Sequence, residues 1–163
     1  MTGAGEIRIR AAAAPDVQQI HAMIVELATY EHSADQVTGT TQQLADALFG
    51  TRPSAEALIA QDGDAIAGFA LFYTSFSTWE CRPGIWLEDL FVRPQHRRAG
   101  VGGRLLGELA RVTTDRGYPR LEWNALDCNE LALEFYENLG AVRIPEWDLH
   151  RLDGDALRHV AGA

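Results

Sequence analysis

Leu87-Glu88-Asp89-Leu90-Phe91-Val92-Arg93-Pro94-Gln95-His96-Arg97-Arg98-Ala99-Gly100-Val101-Gly102-Gly103 is the stretch that decides how this 163-residue chain folds. Ile85 to Val92 reads as a buried strand, interrupted by the carboxylates Glu88 and Asp89 and ended by Pro94. A basic turn follows. Gly100 to Arg116 then sets Val101, Leu105, Leu109 and Val112 on one helical face, with Gly117 as the stop. Glycines let a phosphate approach the main chain, and the first turn of a helix offers unpaired N–H groups. With Arg97 and Arg98 adding charge, the junction suits a pyrophosphate. The same glycines equally suit tight packing of helix on sheet, and the motif alone does not choose.

Two phosphate-binding folds are excluded by context. A dinucleotide fingerprint would run Gly100-x-Gly102-x-x-Leu105, with leucine in place of the third glycine, and the segment is not the first strand of a βαβ unit. A Walker loop needs a lysine, and all 14 basic residues are arginines.

Outward from this junction the chain alternates strands and helices. Ile7 to Ala11 is a short strand, and Pro15-Asp16 opens a helix bearing Val17, Ile20, Met23, Ile24 and Leu27. Thr40-Thr41 caps a second helix through Phe49. Asp62-Gly63-Asp64 joins strands Ala55 to Gln61 and Ala65 to Thr74 as a hairpin. After the decisive stretch come a strand at Leu121 to Leu126, a helix at Leu131 to Leu139 ended by Gly140, and a last strand within Ala141 to Leu152. The order predicts one α/β (α+β) domain, core about 6–152, with helices packed on a mostly antiparallel sheet.

A formal charge of −9 argues against nucleic acid or an anionic membrane as partner. It agrees with a cationic ligand, and equally with a solvated acidic surface. No apolar run reaches the roughly 20 residues that span a bilayer. Met1 to Glu6 lacks the features of a signal peptide, so a cytoplasmic location is expected. Cys81 and Cys128 show no CxxC spacing and read as free thiols. The five histidines, His21, His32, His96, His150 and His159, offer no metal-ligand spacing, so no metal is expected.

Arg97-x-x-Gly100-x-Gly102 resembles the (Gln/Arg)-x-x-Gly-x-(Gly/Ala) motif of the GCN5-related N-acetyltransferase (GNAT) superfamily. Glu26-Leu27-Ala28-Thr29-Tyr30-Glu31, Gly68-Phe69-Ala70, Leu87 to Val92 and Asn129-x-x-x-x-x-Phe135-Tyr136-x-x-x-Gly140-Ala141 resemble the spermidine/spermine (diamine) and thialysine N-acetyltransferases. The blocks follow in order over most of the chain. The resemblance implies the GNAT fold, with six to seven strands and about four helices, and acetyl-CoA as cofactor. It implies cofactor contacts at Leu90, Phe91, Val92, Arg97, Arg98, Ala99, Gly100, Val101, Gly102, Gly103, Asn129 and Ala132. It also implies a homodimer involving the C-terminal strand.

The chemistry to be done is acceptance of an ammonium, removal of its proton and attack on a thioester. Holding a primary alkylammonium neutral at pH 7 costs about 4–5 kcal/mol. Glu88 is the candidate base, acting through water. Neighbouring strand residues face opposite sides, so Glu88 and Asp89 share a site only if a bulge reorients one of them. The resemblance implies such a bulge, splaying this strand from the next; without it the two carboxylates read as a strand-edge pair meeting arginines or water. A backbone N–H around Leu90 to Val92 then polarises the acetyl carbonyl. By the same resemblance Tyr136 is the general acid, although its place on an apolar helix side also suits a core tyrosine. The resemblance also implies acceptor-site positions at Tyr30, Glu31, Trp79, Trp123 and Asn124 beside Glu88 and Asp89; aromatic faces and carboxylates favour cations.

One departure bears on the acceptor. Polyamine acetyltransferases of this group carry Asp-Pro-Trp before the catalytic strand, where this chain has Ser77-Thr78-Trp79. A short diamine, or a lysine-like amino acid whose carboxylate meets Arg82, therefore competes with a long polyamine. A peptide or protein amine and a non-catalytic acyl-CoA-binding regulator are the alternatives, but the regulator predicts damage to the glycine motif, Glu88 or Tyr136, and all are present.

Overall fold

The computed structural model describes residues 6–162; Met1 to Gly5, on which the expectation of no leader largely rests, lie outside the described residues. Two compact units are formed, one up to Asn124 and one from Ala125 onward.

The first unit is built on strands β1 (Arg8–Ala11), β2 (Glu56–Asp62), β3 (Ala65–Ser77), β4 (Arg82–Val92) and β5 (Leu121–Trp123), hydrogen-bonded in that order. Neighbours β1 to β4 are antiparallel, and β5 runs parallel to β4. Helices α1 (Val17–Tyr30) and α2 (Thr41–Phe49) precede β2, and α3 (Val101–Asp115) carries the chain from β4 to β5. This is the mixed α/β sheet with flanking helices that the sequence predicts.

Period-two burial explains the layers. Ile59, Phe69, Leu71 and Phe91 meet Ile20, Met23 and Leu48 from α1 and α2 in one core cluster. Residues one step out of phase, Leu58, Ala70, Phe72 and Leu87, are buried as well. They face α3, which buries Val101, Leu105, Leu106 and Leu109. The start of α1 is fixed by Asp16, whose carboxylate accepts from Arg10 Nη1 (2.6 Å), Arg10 Nη2 (2.9 Å) and the Ala13 N–H (2.7 Å). That guanidinium holds the Asp16 carboxyl below the usual range. Thr40 and Gln43 cap α2 reciprocally, as the Thr40-Thr41 pair predicts. Arg93 joins α1 to the end of β4 through Glu26 (3.0 Å) and the Ile66 carbonyl (3.1 Å).

The second unit holds α4 (Glu130–Asn138) and α5 (Gly154–Ala161). Here the structure corrects the expected count: the described residues form five strands rather than six to seven, and five α-helices rather than four. Ala141 to Leu152 is not a strand. A strand exists only by pairing, and this unit contains no other strand to pair with. Pro145 also removes a donor, and the alternation of Val142 and Ile144 slips phase before Trp147 and Leu149. α5 went unpredicted although its signals are in the chain: Asp153 before it, Leu157 and Val160 at helical spacing, Arg158 and His159 in its last turn.

Two glycines separate close approach from spare room. A methyl group on Gly68 would collide with the Phe91 carbonyl oxygen and lie 3.2 Å from Val92 Cα, whereas one on Gly107 of α3 meets nothing within 4 Å. Gly68→Ala should therefore cost about 1–3 kcal/mol by overpacking. Gly107→Ala should gain about 0.5–1 kcal/mol from helix propensity. Urea denaturation of both variants checks the pair, and a Gly68→Ala protein as stable as wild type would refute the close approach.

Candidate active site

The register of β4 on β3 contains the decisive irregularity. Leu71 lies opposite Asp89 and Phe72 opposite Leu87, so Glu88 is an extra residue with no partner. Before this bulge Trp86 pairs with Tyr73, on the same face of β3 as Leu71. After it Asp89 is on that face too. A single inserted residue thus turns Asp89 to the α1 side, where a regular strand would have sent it toward α3. Glu88 joins it there: its Oε2 accepts from the Trp86 indole N–H (3.1 Å), and its charge, after burial, raises the Tyr73 phenol pKa. Asp89 is pushed up to about 6 by burial first, then by Glu88 and by Glu31, which follows the last residue of α1. The bulge that the resemblance implies is therefore present, and Glu31, Glu88 and Asp89 form one acidic cluster.

Beyond the bulge β4 has an open edge. β5 pairs only with Ile85 to Leu87, so among the described residues Glu88 to Val92 pair with β3 alone. The backbone parity is readable. Ile85 donates its N–H to Arg120 on the β5 side (3.1 Å), whereas past the bulge Arg93 donates to Ala67 on the β3 side (2.9 Å). By alternation Leu90 and Val92 turn their N–H and C=O groups to the open edge, while Phe91 bonds inward and buries its ring. An unpaired Leu90 N–H is thus available to polarise a carbonyl, and the Val92 carbonyl accepts from Arg97 Nε (2.9 Å).

The glycine motif forms the start of α3. Arg98 (φ +63°) and Gly100 (φ +74°) are left-handed, an alternation that turns successive backbone N–H groups toward one side. Gly100 caps the helix with no side-chain bond, and the first intrahelical bond runs from Arg104 to Gly100. Val101, Gly102 and Gly103 therefore present helix-start N–H groups beside exposed Arg98 and Ala99, donors of the kind a pyrophosphate takes. Arg97 has another role. Its guanidinium stacks 4.9 Å from the Tyr30 ring centroid and 5.7 Å from that of Phe91. Tyr30 is thereby tied to the loop that follows β4.

In the second unit Asn129 caps α4, its side chain accepting from the Ala132 N–H (3.3 Å). Tyr136 lies half-buried on α4 with its ring 5.2 Å from that of Phe135. Burial raises its phenol pKa, which keeps the proton on the oxygen at neutral pH. Trp79 is 87% exposed in the turn between β3 and β4. Trp123 ends β5 opposite Leu87, one residue short of the bulge, and Asn124 follows it exposed. Arg82 donates from one guanidinium nitrogen to the Gly117 carbonyl (2.6 Å). Among the described residues no three His, Cys, Asp or Glu side chains lie close enough together to hold a metal ion, and Glu31 acts on Asp89 as a nearby charge. Sequence reasoning missed Tyr73 and Trp86; period two before the bulge would have placed both on the face of Glu88, had the bulge position been known.

A strand bulge with neighbouring carboxylates, an open strand edge and a glycine-rich helix start free of side-chain caps thus occur together in the first unit. The chain belongs to the acetyltransferase (GNAT) family, whose profile matches residues 20–141, and is an acyltransferase enzyme. Thialysine N-epsilon-acetyltransferase of Bos taurus is 35% identical, over 96% of this chain and 98% of that protein. L-ornithine N5-acetyltransferase of Arabidopsis thaliana is 29% identical, over 94% of this chain and 87% of that one. Among solved structures, an integron cassette protein from the mobile metagenome of V. cholerae superposes with TM-score 0.80 at 26% identity, covering 96% and 98% of the two chains.

The raised Asp89 pKa has a stability consequence. Folding raises this acid above its usual 3.8, so the folded state binds the extra proton, and stability is lost as pH rises from about 4 through about 6. Asp89→Asn should accordingly be more stable than wild type at pH 7.5 by about 1–3 kcal/mol, with the difference gone below pH 4. Thermal melts across that range check it, and a variant less stable than wild type at pH 7.5 would count against a desolvated, repelled carboxylate.

Proposed function

We propose that the enzyme transfers the acetyl group of acetyl-CoA to a primary amine of a small cationic acceptor, an amino acid with a terminal side-chain amine or a short diamine. The observation that carries the reading is the bulge that brings Glu88 and Asp89 to one face where the open β4 edge begins, with the Glu31 charge near enough to raise the Asp89 pKa. Three carboxylates so placed repel one another until a cation arrives, and an alkylammonium supplies it. The two relatives named for thialysine and ornithine support the amino-acid form.

The donor residues fit a coenzyme A diphosphate: the N–H groups of Val101, Gly102 and Gly103 are free of side-chain caps, and Arg98 lies beside them. The bound donor supplies an activated acetyl thioester. Glu88 takes the ammonium proton through water, freeing the nitrogen lone pair. The Leu90 N–H would hold the carbonyl oxygen of the bound donor. Tyr136 would give its proton to the departing thiolate sulfur, and the second proton, shed by the nitrogen as it becomes an amide, would return through water to the phenolate; the raised phenol pKa keeps Tyr136 protonated beforehand. Asn129 and Ala132 serve the donor from α4, and Tyr30, Trp79, Trp123 and Asn124 serve the acceptor in the same reading. A homodimer belongs to it as well, motivated by the exposed Val142, Ile144, Trp147 and Leu149.

Release of free thiol from acetyl-CoA, measured with ornithine, lysine, thialysine, putrescine, spermidine and a lysine peptide, is the test. Amine-dependent release, greatest with the small amino acids or putrescine, is expected; tight acetyl-CoA binding without release on any amine would overturn the reading. Tyr136→Phe should lower turnover by roughly 10²–10⁴-fold with donor affinity kept. Gly102→Asp should weaken acetyl-CoA binding by placing a side chain and a negative charge against the diphosphate; unchanged affinity by calorimetry would remove the loop from that role.

A further inference from the structure

Tyr73 and Trp86 are directly opposed across β3 and β4, before the bulge and on the face that carries Glu88 and Asp89. Tyr73 is 37% exposed and Trp86 half-buried, so neither ring is consumed by the core. Glu122 of β5 is the register partner of Trp86 on the other side and is ion-paired with Arg120. A row of two rings thus borders the acidic cluster. The Trp86 indole N–H is spent on a Glu88 carboxylate oxygen (3.1 Å).

We propose that Trp86 is a positioning residue for Glu88, and that with Tyr73 it forms an aromatic wall of the acceptor site, recognising the cationic end of the amine. The inference rests on the small-amine reading given above. An indole N–H has a single donor and no acceptor, so aiming it at Glu88 fixes one oxygen and leaves the other for water or the ammonium. The ring faces add attraction for a cation that neither hydrates nor repels them. Their position before the bulge, beside carboxylates that follow it, gives an ammonium an aromatic side and an acidic side at once.

The experiment is steady-state kinetics of Trp86→Phe, Trp86→Leu and Tyr73→Leu with ornithine and putrescine from pH 6 to 9, with acetyl-CoA affinity measured calorimetrically on each. Trp86→Phe keeps a ring and loses the donor that orients Glu88: kcat should fall about tenfold while the amine KM stays within about twofold. Trp86→Leu and Tyr73→Leu also lose a ring face, and the amine KM should rise by about three- to thirtyfold while acetyl-CoA affinity stays within twofold. An unchanged kcat in Trp86→Phe together with unchanged amine KM in the leucine variants would overturn the proposal. If Trp86→Leu does not fold, Trp86→Phe and Tyr73→Leu decide alone. If the wild-type enzyme acetylates no amine, the small-amine reading falls first. Calorimetric putrescine binding then decides between wild type and Tyr73→Leu: equal affinity overturns the wall, and weaker binding by the variant supports it.

Discussion

One extra residue in β4 organises the site. With Glu88 unpaired between Leu87 and Asp89, the strand changes face in mid-course: Leu87 is buried toward α3, and two residues later Asp89 points toward α1. The same insertion switches backbone parity, so that Leu90 and Val92 aim polar groups at the edge where β5 has ended. A regular strand would scatter these features. Glu88 and Asp89 would lie on opposite faces, and the N–H groups near the edge would be those of other residues.

The acidic cluster shows how stability is traded against readiness to bind. Burial and two neighbouring carboxylates raise the Asp89 pKa, so the fold carries a side chain whose ionised form it disfavours. Nearby arginines are engaged elsewhere: Arg93 with Glu26, Arg97 with Tyr30 and Phe91, Arg82 with Gly117. Function and local strain meet at the bulge, while the rest of the sheet follows its pattern.

Arg97 shows how a motif residue can be engaged differently from the role its motif suggests. It stands in the phosphate-loop motif, yet its guanidinium stacks on Tyr30 at the end of α1 and bonds to the Val92 carbonyl. The anion-facing donors are left to backbone geometry, to left-handed Arg98 and Gly100 and the first turn of α3. Stacking of this kind suits arginine, whose planar charge is weakly hydrated.

Local signals carried much of the architecture. The caps at Thr40 and Gly117, the Gly63 turn, the amphipathic faces of α1 and α3 and the strand–turn–helix junction are all written in short-range pattern, because capping, positive φ and helical period depend only on nearby residues. The glycine motif, Glu88, Asp89 and Tyr136 could be selected from that pattern and from resemblance. Which face Glu88 and Asp89 occupy, where β5 stops, and why Tyr73 and Trp86 border the cluster were decided only in the sheet. Strand register depends on a partner more than a dozen residues away, and a bulge is defined by two strands counted against each other. The stretch from Ala141 to Leu152 teaches the same physics from the other side: its apolar residues alternate only in short pieces that fall out of phase, and without hydrogen bonds from a neighbouring strand such a pattern does not make one.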